Sequence, residues 1–223
     1  NTFQKVAKNY IAENQSSWSS EVTKKQWPNS LRDYVYPIIG SKPVHLITIH
    51  DVLSVLRPIW SEKNTTARRV RSRIENILDY STTLEMREGN NPAVWRGNLK
   101  MVLPAPSKLH KIKPHPAIPY NELHDFLVEL RSRKGVGARA LEFAILTGSR
   151  TRPLLLAKWE DIDFDNSIWN CPEDNMKSRK FFRIPLCEPA MEIINNQRKT
   201  SRGEYIFGHE QTGKTSSNNC MLY

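Results

Sequence analysis

The first hundred residues repeat their apolar positions with the period of an α-helix. The first set falls at i, i+3, i+4, i+7 and i+8 and consists of Phe3, Val6, Ala7, Tyr10 and Ile11. This spacing places the five side chains on one face and predicts a helix that packs against a core. The same period predicts helices over about 22–34, 48–60 and 65–78, and a short one over 94–102.

Polar and proline residues suggest where these helices begin and end. Thr48 stands three residues before Asp51, a spacing typical of a capping box at a helix N-terminus. Pro28 is expected to kink or restart the second helix, because proline lacks a backbone N–H and crowds the preceding turn. For the same reason Pro58 is expected to limit the last turn of the third helix.

A proline-rich stretch separates the two halves of the chain. Residues 104–119 contain five prolines in sixteen residues, which neither a packed helix nor a central strand tolerates. The stretch also carries Lys108, Lys111 and Lys113. It is therefore predicted to be an extended basic linker, either lying along a nucleic-acid backbone or simply crossing the surface.

The second half mixes helices with a small amount of strand. Apolar periodicity predicts helices over 120–131, 135–146 and 189–198, a further helix starting in the sequence TGSRTRPLLLAKW, and the beginning of another after residue 212. Residues 167–172 and 181–186 resemble two strands joined by a polar loop, that is, a β-hairpin. The pattern predicts a mainly α protein with a small β-sheet, divided into 1–104, a linker over 105–119, and 120–223.

Net charge narrows the class of partner. The chain has 33 Lys and Arg residues against 23 Asp and Glu, a net charge of +10. A chain this basic usually binds a polyanion, most often nucleic acid. No acidic residue occurs between Glu88 and Glu122, which favours phosphate contacts there over a merely solvated loop. No apolar run is long enough to cross a membrane, and three scattered cysteines without a CxxC pair suit a reducing compartment.

Two short segments carry residues of catalytic type, whereas the common nucleotide-binding, zincin and hydrolase signatures are absent. Arg150 follows a strongly apolar predicted helix, and Lys177 occupies the tip of the predicted hairpin. Each alone is equally compatible with an ordinary surface residue. Their order and spacing together make them informative.

These segments resemble those of the tyrosine recombinases, or phage-type integrases. Members carry a threonine, an arginine and a tryptophan at the spacing of Thr147, Arg150 and Trp159, and then a hairpin lysine before an Ile-Pro-Leu strand, as at Lys177 and 184–186. Residues 1–105 resemble the helical core-binding domain of the family, including the segments 37–40, 67–70 and 91–96. Residues 115–223 resemble the first part of its catalytic domain.

The resemblance implies a helical SAM-like core-binding domain followed by an α+β catalytic domain, truncated here. It also implies an enzyme that integrates or excises mobile DNA, including viral genomes, through a 3′-phosphotyrosine intermediate, with no metal or energy cofactor. In this chemistry Arg150 would bind the non-bridging phosphate oxygens and Lys177 would protonate the leaving 5′-oxygen. Double-stranded DNA carrying an attachment-site core is the expected partner, and the bacterial cytoplasm and nucleoid the expected location.

The chain departs from the family pattern at three points. Pro153 stands where an acidic residue is usual, no H-x-x-R box follows Lys177, and neither Tyr205 nor Tyr223 has the context of the nucleophile. We therefore expect a fragment that binds DNA, does not cleave it alone, and is a monomer, whereas the full-length protein would form a tetramer on DNA. The alternative is a non-catalytic DNA-binding or regulatory protein derived from a recombinase. An unrelated basic nucleic-acid-binding module and a protein scaffold are weaker hypotheses.

Charge and position select the candidate DNA contacts. They are Lys24, Lys25, Arg69, Arg73, Arg96, Lys100, Lys108, Lys111, Lys113, Arg179 and Lys180. For each of them a solvated surface charge is the competing interpretation.

Overall fold

The computed structural model describes residues 1–18, 20–105, 115–176 and 180–222. The chain divides into two compact units, Asn1–Pro114 and His115–Tyr223. The predicted proline-rich linker over 105–119 falls largely outside the described residues, and so do Lys108, Lys111 and Lys113.

The regular elements of the first unit are helices in its described residues. Its helices are α1 (Phe3–Asn14), α2 (Glu21–Tyr34), α3 (Tyr36–Ile39), α4 (Ile49–Trp60) and α5 (Asn64–Thr83). The helices predicted from the apolar periodicity of residues 3–11, 48–60 and 65–78 are confirmed and correspond to α1, α4 and α5. The short helix predicted over 94–102 is wrong, because that segment forms turns and a 3₁₀ turn at Leu99–Met101.

The two prolines within the helices differ in their effect. The predicted restart at Pro28 is wrong, because α2 continues through it as one helix. Pro58 lies in the last turn of α4, which ends at Trp60, as expected. Both prolines are exposed, so the one backbone hydrogen bond that each removes leaves its carbonyl partner able to contact water.

The core of the first unit is built from the predicted apolar faces. Phe3, Val6 and Ala7 of α1 are buried in this core, where α1 packs against α3 and α5. At the end of α4, the Trp60 indole stacks on Trp95 at 5.4 Å and donates a hydrogen bond to the Pro104 carbonyl at 2.9 Å. The last described residues of this unit are thereby fixed to its core.

The second unit combines four helices with one small sheet in its described residues. The helices are α6 (Leu123–Ser132), α7 (Val136–Thr147), α8 (Thr151–Leu155) and α9 (Glu188–Thr200), and the strands are β1 (Ile162–Asp163), β2 (Ile168–Cys171) and β3 (Phe182–Pro185). The sheet is antiparallel in the order β1-β2-β3, with Trp169 opposite Ile184. The predicted hairpin pairing is confirmed. The two-residue strand β1 was not predicted, because it is too short to show alternation.

Aromatic side chains hold the second unit together. The Phe143 ring of α7 lies 5.5 Å from the Trp169 ring of β2 and 5.3 Å from the Phe207 ring. Ile193 and Ile194 of α9 complete this buried cluster. Cys171 is also buried, and desolvation raises the pKa of its thiol to about 12, whereas Cys187 is exposed.

Helix α7 meets the C-terminal segment at a glycine. A Cβ atom on Gly137 would overlap the backbone carbonyl oxygen of Cys220. Backbone cannot move aside as a flexible side chain can, so this packing requires a residue without a side chain at position 137.

We predict that Asp51→Asn destabilises the first unit in a pH-dependent manner. Partial burial raises the pKa of Asp51, but hydrogen bonds from Lys42 and from Thr48, each 2.7 Å long, outweigh burial and leave that pKa below its usual value. The stabilisation is therefore present above the unfolded-state pKa and lost as the pH falls through the folded-state value. At pH 7 the loss should be about 1 kcal/mol.

Hydrogen-exchange protection of the α4 amides in the full chain measures this difference. The gap between wild type and Asp51→Asn should close in strong acid, where both side chains are uncharged. A gap of equal size at neutral and strongly acidic pH would contradict the assignment.

We predict that Gly137→Ala destabilises the second unit. In an ordinary helix this substitution stabilises by reducing unfolded-state freedom, but here the methyl group meets the Cys220 carbonyl. Overpacking of this kind costs about 1–3 kcal/mol. Thermal unfolding of the full chain should show a lower midpoint, and a raised midpoint would show that the two segments do not pack this way.

Candidate functional site

Arg150 lies directly beyond the buried helix α7. The helix ends at Thr147, and Gly148 follows in the left-handed conformation with φ of 60°. The Thr147 hydroxyl donates to the Phe143 carbonyl at 2.7 Å and lies 2.9 Å from the Ser149 hydroxyl. This turn reverses the chain and places Arg150 at the N-cap of α8 in an extended conformation.

The Arg150 guanidinium is available to a ligand. The side chain is exposed, and within the described part of the chain it makes no hydrogen bond or ion pair. Its planar group offers several N–H donors in a fork that matches two oxygens of one phosphate. An arginine left free on a rigid turn is suited to binding an oxyanion.

The backbone on both sides of Arg150 is anchored. Leu154 and Leu155 of α8 are buried, and the Leu154 N–H donates to the Arg150 carbonyl at 3.3 Å. Further along, the Ile206 N–H donates to the Ala157 carbonyl at 2.9 Å. The position of Arg150 is thus set by the core rather than by a free loop.

Pro153 is accommodated where an acidic residue was expected from the family pattern. It is buried in the first turn of α8. The first backbone N–H groups of a helix have no intrahelical acceptor, so proline costs little at this point. Proline at this position is therefore compatible with the fold of the turn, but it does not supply the carboxylate that the family pattern has there.

The hairpin side of the site is described only in part. Lys177 and Arg179 lie outside the described residues, and Lys180 is exposed. The next two side chains, Phe181 and Phe182, are 53% and 54% exposed. Such exposed aromatics beside a basic residue were not predicted, because apolar strand residues are ordinarily assigned to a core.

Some of the other candidate DNA contacts are exposed, and others already interact with partners within the protein. Those exposed are Lys25, Arg69, Arg96 and Lys100. Lys24 is partly exposed and pairs with Glu21 at 2.7 Å. An exposed pair of this kind is weak and does not prevent a phosphate contact.

The predicted DNA contact at Arg73 does not agree with the structure. It is only 8% exposed, and its guanidinium donates to the Gln26 carbonyl at 2.8 Å and to the Ser30 hydroxyl while lying 5.3 Å from the Trp27 ring. Burial lowers its pKa, and the charge of Arg69 adds to this effect. Its donors hold α2 against α5, so Arg73 is withdrawn from the DNA contacts.

A second group of basic residues was missed in the sequence. Arg131, Arg133 and Lys134 precede α7, and Lys199 and Arg202 stand at or beyond the end of α9, yet all of them line one cleft of about 900 Å³. The Arg-Ser-Arg-Lys run was the available signal. A charge run is usually a solvated surface, however, and nothing in the sequence joins residues so far apart.

Of the two tyrosines in the last part of the chain, only Tyr205 is described. It is half-buried, with the Lys158 ammonium 5.9 Å from its ring centre, and its backbone pairs with Lys158. Tyr223 lies outside the described residues. Over the described ranges, no group of three or more His, Cys, Asp or Glu residues could hold a metal ion, and no helix is long and apolar enough to span a membrane.

Two family models match the chain in sequence order. The phage integrase central domain matches residues 3–98, and the phage integrase family model matches residues 119–222. Among curated proteins, prophage integrase IntZ of Escherichia coli strain K12 is 31% identical over 223 residues. That match covers 99% of this chain and 53% of IntZ, so the chain spans about half the length of this relative.

Solved structures of integrases on DNA share the fold. The Tn1549 transposon integrase in complex with circular intermediate DNA has a TM-score of 0.75 and 15% identity, covering 97% of this chain and 73% of that one. A lambda integrase tetramer bound to a Holliday junction has a TM-score of 0.77 and 16% identity, covering 99% and 63%. The fold is that of the tyrosine recombinases. With the two matched models, this means that the chain belongs to the phage integrase family.

The correction at Arg73 leads to a prediction with a matched control. Arg73→Met should lower the free energy of unfolding by about 1–3 kcal/mol, because the hydrogen bonds to the Gln26 carbonyl and the Ser30 hydroxyl are lost in a buried setting. Arg69→Met, one turn earlier on the exposed face of α5, should change stability by less than about 0.5 kcal/mol. Chemical denaturation measures both. Equal stability of the two variants would show that Arg73 is not a structural residue.

Proposed function

We propose that this chain is part of a site-specific DNA recombinase that integrates or excises mobile DNA through a 3′-phosphotyrosine intermediate. Membership of the phage integrase family supports the reaction class. The observation that carries the proposal is the exposed Arg150, held on an anchored turn with its guanidinium free of protein partners in the described residues.

The proposed role of Arg150 follows from the charge that develops during strand cleavage. Attack of a hydroxyl on a phosphodiester gathers negative charge on the non-bridging oxygens of a five-coordinate phosphorus. A positioned guanidinium stabilises that charge more than it stabilises the ground state, which lowers the barrier. Because Arg150 has no carboxylate partner among the described residues, its charge is not already compensated.

We assign Lys177 the role of general acid. The leaving 5′-oxygen needs a proton, and a lysine at a hairpin tip could deliver one. Arg179 and Lys180 are proposed to contact backbone phosphates beside it. The pairing of β2 with β3 supports a hairpin here, and the exposure of Lys180 supports its proposed contact with a phosphate.

The two units are assigned different tasks. Residues 1–104 are proposed to form the core-binding domain, 105–119 a basic linker, and 120–223 part of the catalytic domain. The proposed DNA contacts of the first part are Lys24, Lys25, Arg69, Arg96, Lys100 and the linker residues Lys108, Lys111 and Lys113. Exposure of Lys25, Arg69, Arg96 and Lys100 supports this set, and such contacts act on phosphates independently of sequence.

Assembly and location complete the proposal. The full-length protein is proposed to act as a tetramer on DNA attachment sites in the bacterial cytoplasm, in association with the nucleoid. The solved lambda integrase tetramer on a Holliday junction and the Escherichia coli origin of IntZ support this. This chain alone is proposed to be a monomer that binds DNA without forming an adduct, because no H-x-x-R box follows Lys177 within it.

A non-catalytic DNA-binding protein is the second candidate, and Pro153 is the observation that favours it. The fold of the Arg150 turn tolerates this proline, however, and the arginine itself remains exposed. The recombinase is therefore preferred.

We predict that Arg150→Ala lowers the rate of covalent protein–DNA adduct formation by about 10²–10³-fold, the usual effect of removing one donor to a developing oxyanion. The assay uses the protein from the complete coding frame and a nicked attachment-site duplex, with the adduct resolved on a denaturing gel. Arg152→Ala is the control, because it removes an equally exposed charge two residues away.

Adduct formation should be nearly unchanged in the control. Equal rates for Arg150→Ala and wild type would remove the catalytic role of Arg150. The absence of any adduct in wild type, with DNA binding retained, would favour the non-catalytic candidate.

A further inference from the structure

A basic cleft lies at the N-terminal end of α7, away from Arg150. Its walls come from the segment before α7, the end of α9 and the segment after Phe207, and it encloses about 900 Å³. Arg150 is at the opposite end of α7, a helix of twelve residues, so about 16 Å of helix separates the two places. The cleft is thus distinct from the proposed catalytic position.

Cations outnumber carboxylates around this cleft. Glu142 is 2% exposed and accepts from both Arg131 at 2.5 Å and Arg139 at 2.6 Å, so one carboxylate compensates only one of two guanidiniums. Lys134 and Arg202 are exposed and have no ion-pair partner among the described residues. The cleft therefore carries uncompensated positive charge at its rim.

The cleft also contains neutral donors. Gln197 lines it and is only 8% exposed, yet its side-chain amide makes no hydrogen bond within the described part of the chain. The amide keeps access to the cleft and can therefore donate to a ligand there. Nearby, Glu210, a carboxylate that also lines the cleft, accepts a hydrogen bond from the Val136 N–H at the start of α7 at 3.1 Å.

We propose that this cleft binds a backbone phosphate of double-stranded DNA, at a second contact separate from Arg150. The proposal rests on the proposed function of the chain and adds a binding site to it. In this proposal the phosphodiester accepts from Lys134, Arg202 and the Gln197 amide, which line the same cleft, and it compensates the positive charge there. About 16 Å is roughly half a helical turn of B-DNA, so one duplex can reach both places.

The test measures binding of the full 223-residue chain to a 25-base-pair duplex of arbitrary sequence over a range of salt concentrations. Each phosphate contact contributes about 0.9 to the slope of log K against log salt. Lys134→Gln and Arg202→Gln should each reduce the slope by about that amount and weaken binding about eightfold at 0.1 M salt. Gln197→Leu should weaken binding about fivefold with the slope unchanged, because it removes only neutral donors.

Arg198→Gln is the matched control. Arg198 is exposed on α9, carries the same charge, and lies over the Phe164 ring at 5.0 Å instead of lining the cleft. Its slope should stay within error of wild type. Thermal unfolding of all four variants verifies that any lost affinity does not reflect unfolding.

The possible outcomes separate the two proposals. If wild type binds DNA and the cleft variants behave as Arg198→Gln does, the cleft proposal is overturned while the proposed function stands. If wild type fails to bind DNA at low salt, the proposed function fails and the cleft proposal with it. If the cleft variants change self-association in sedimentation but not DNA affinity, the cleft binds an acidic segment of a second copy, and the phosphate assignment is wrong.

Discussion

The packing of Phe143 is the interaction on which the second unit depends. Its ring contacts Trp169 from the sheet and Phe207 from the segment after α9, so one side chain joins three parts of the chain that are distant in sequence. Helix α7 is fixed by this contact, and its two ends carry Arg150 and the basic cleft. A helix anchored at its buried face keeps the two proposed phosphate-binding positions at a constant distance from each other.

The helices could be predicted well from the sequence. Which charged side chains are buried and which come together in the fold could be predicted less well. Helical periodicity records which face is buried, so α1, α4 and α5 could be found from spacing alone. The burial of Arg73 could not, because its acceptors come from α2, more than forty residues earlier. Arg150 could be proposed from the sequence because a local motif marks it. The cleft could not be predicted, because only the tertiary fold brings Lys134 and Arg202 to the same place.

The basic residues of this chain serve two different purposes. Arg73 donates its hydrogen bonds to groups inside the protein, and Arg131 and Arg139 both pair with one buried carboxylate. Arg150, Lys134 and Arg202 remain uncommitted among the described residues. Net charge alone counts these side chains equally, although only the second kind can release counterions from DNA. Whether a basic side chain already has a partner within the protein is therefore a better guide to a nucleic-acid surface than the overall charge of +10.

The close approach of Gly137 to the Cys220 carbonyl has a consequence for how the protein is made. The two residues are separated by about eighty positions, so their contact is among the most non-local in the chain. During synthesis, α7 leaves the ribosome long before its docking partner exists. The surface around Gly137 must stay open until the last residues of the segment emerge. Completion of this packing is thus a late event relative to the synthesis of α7, and the helix that positions Arg150 acquires it only after Cys220 has been made.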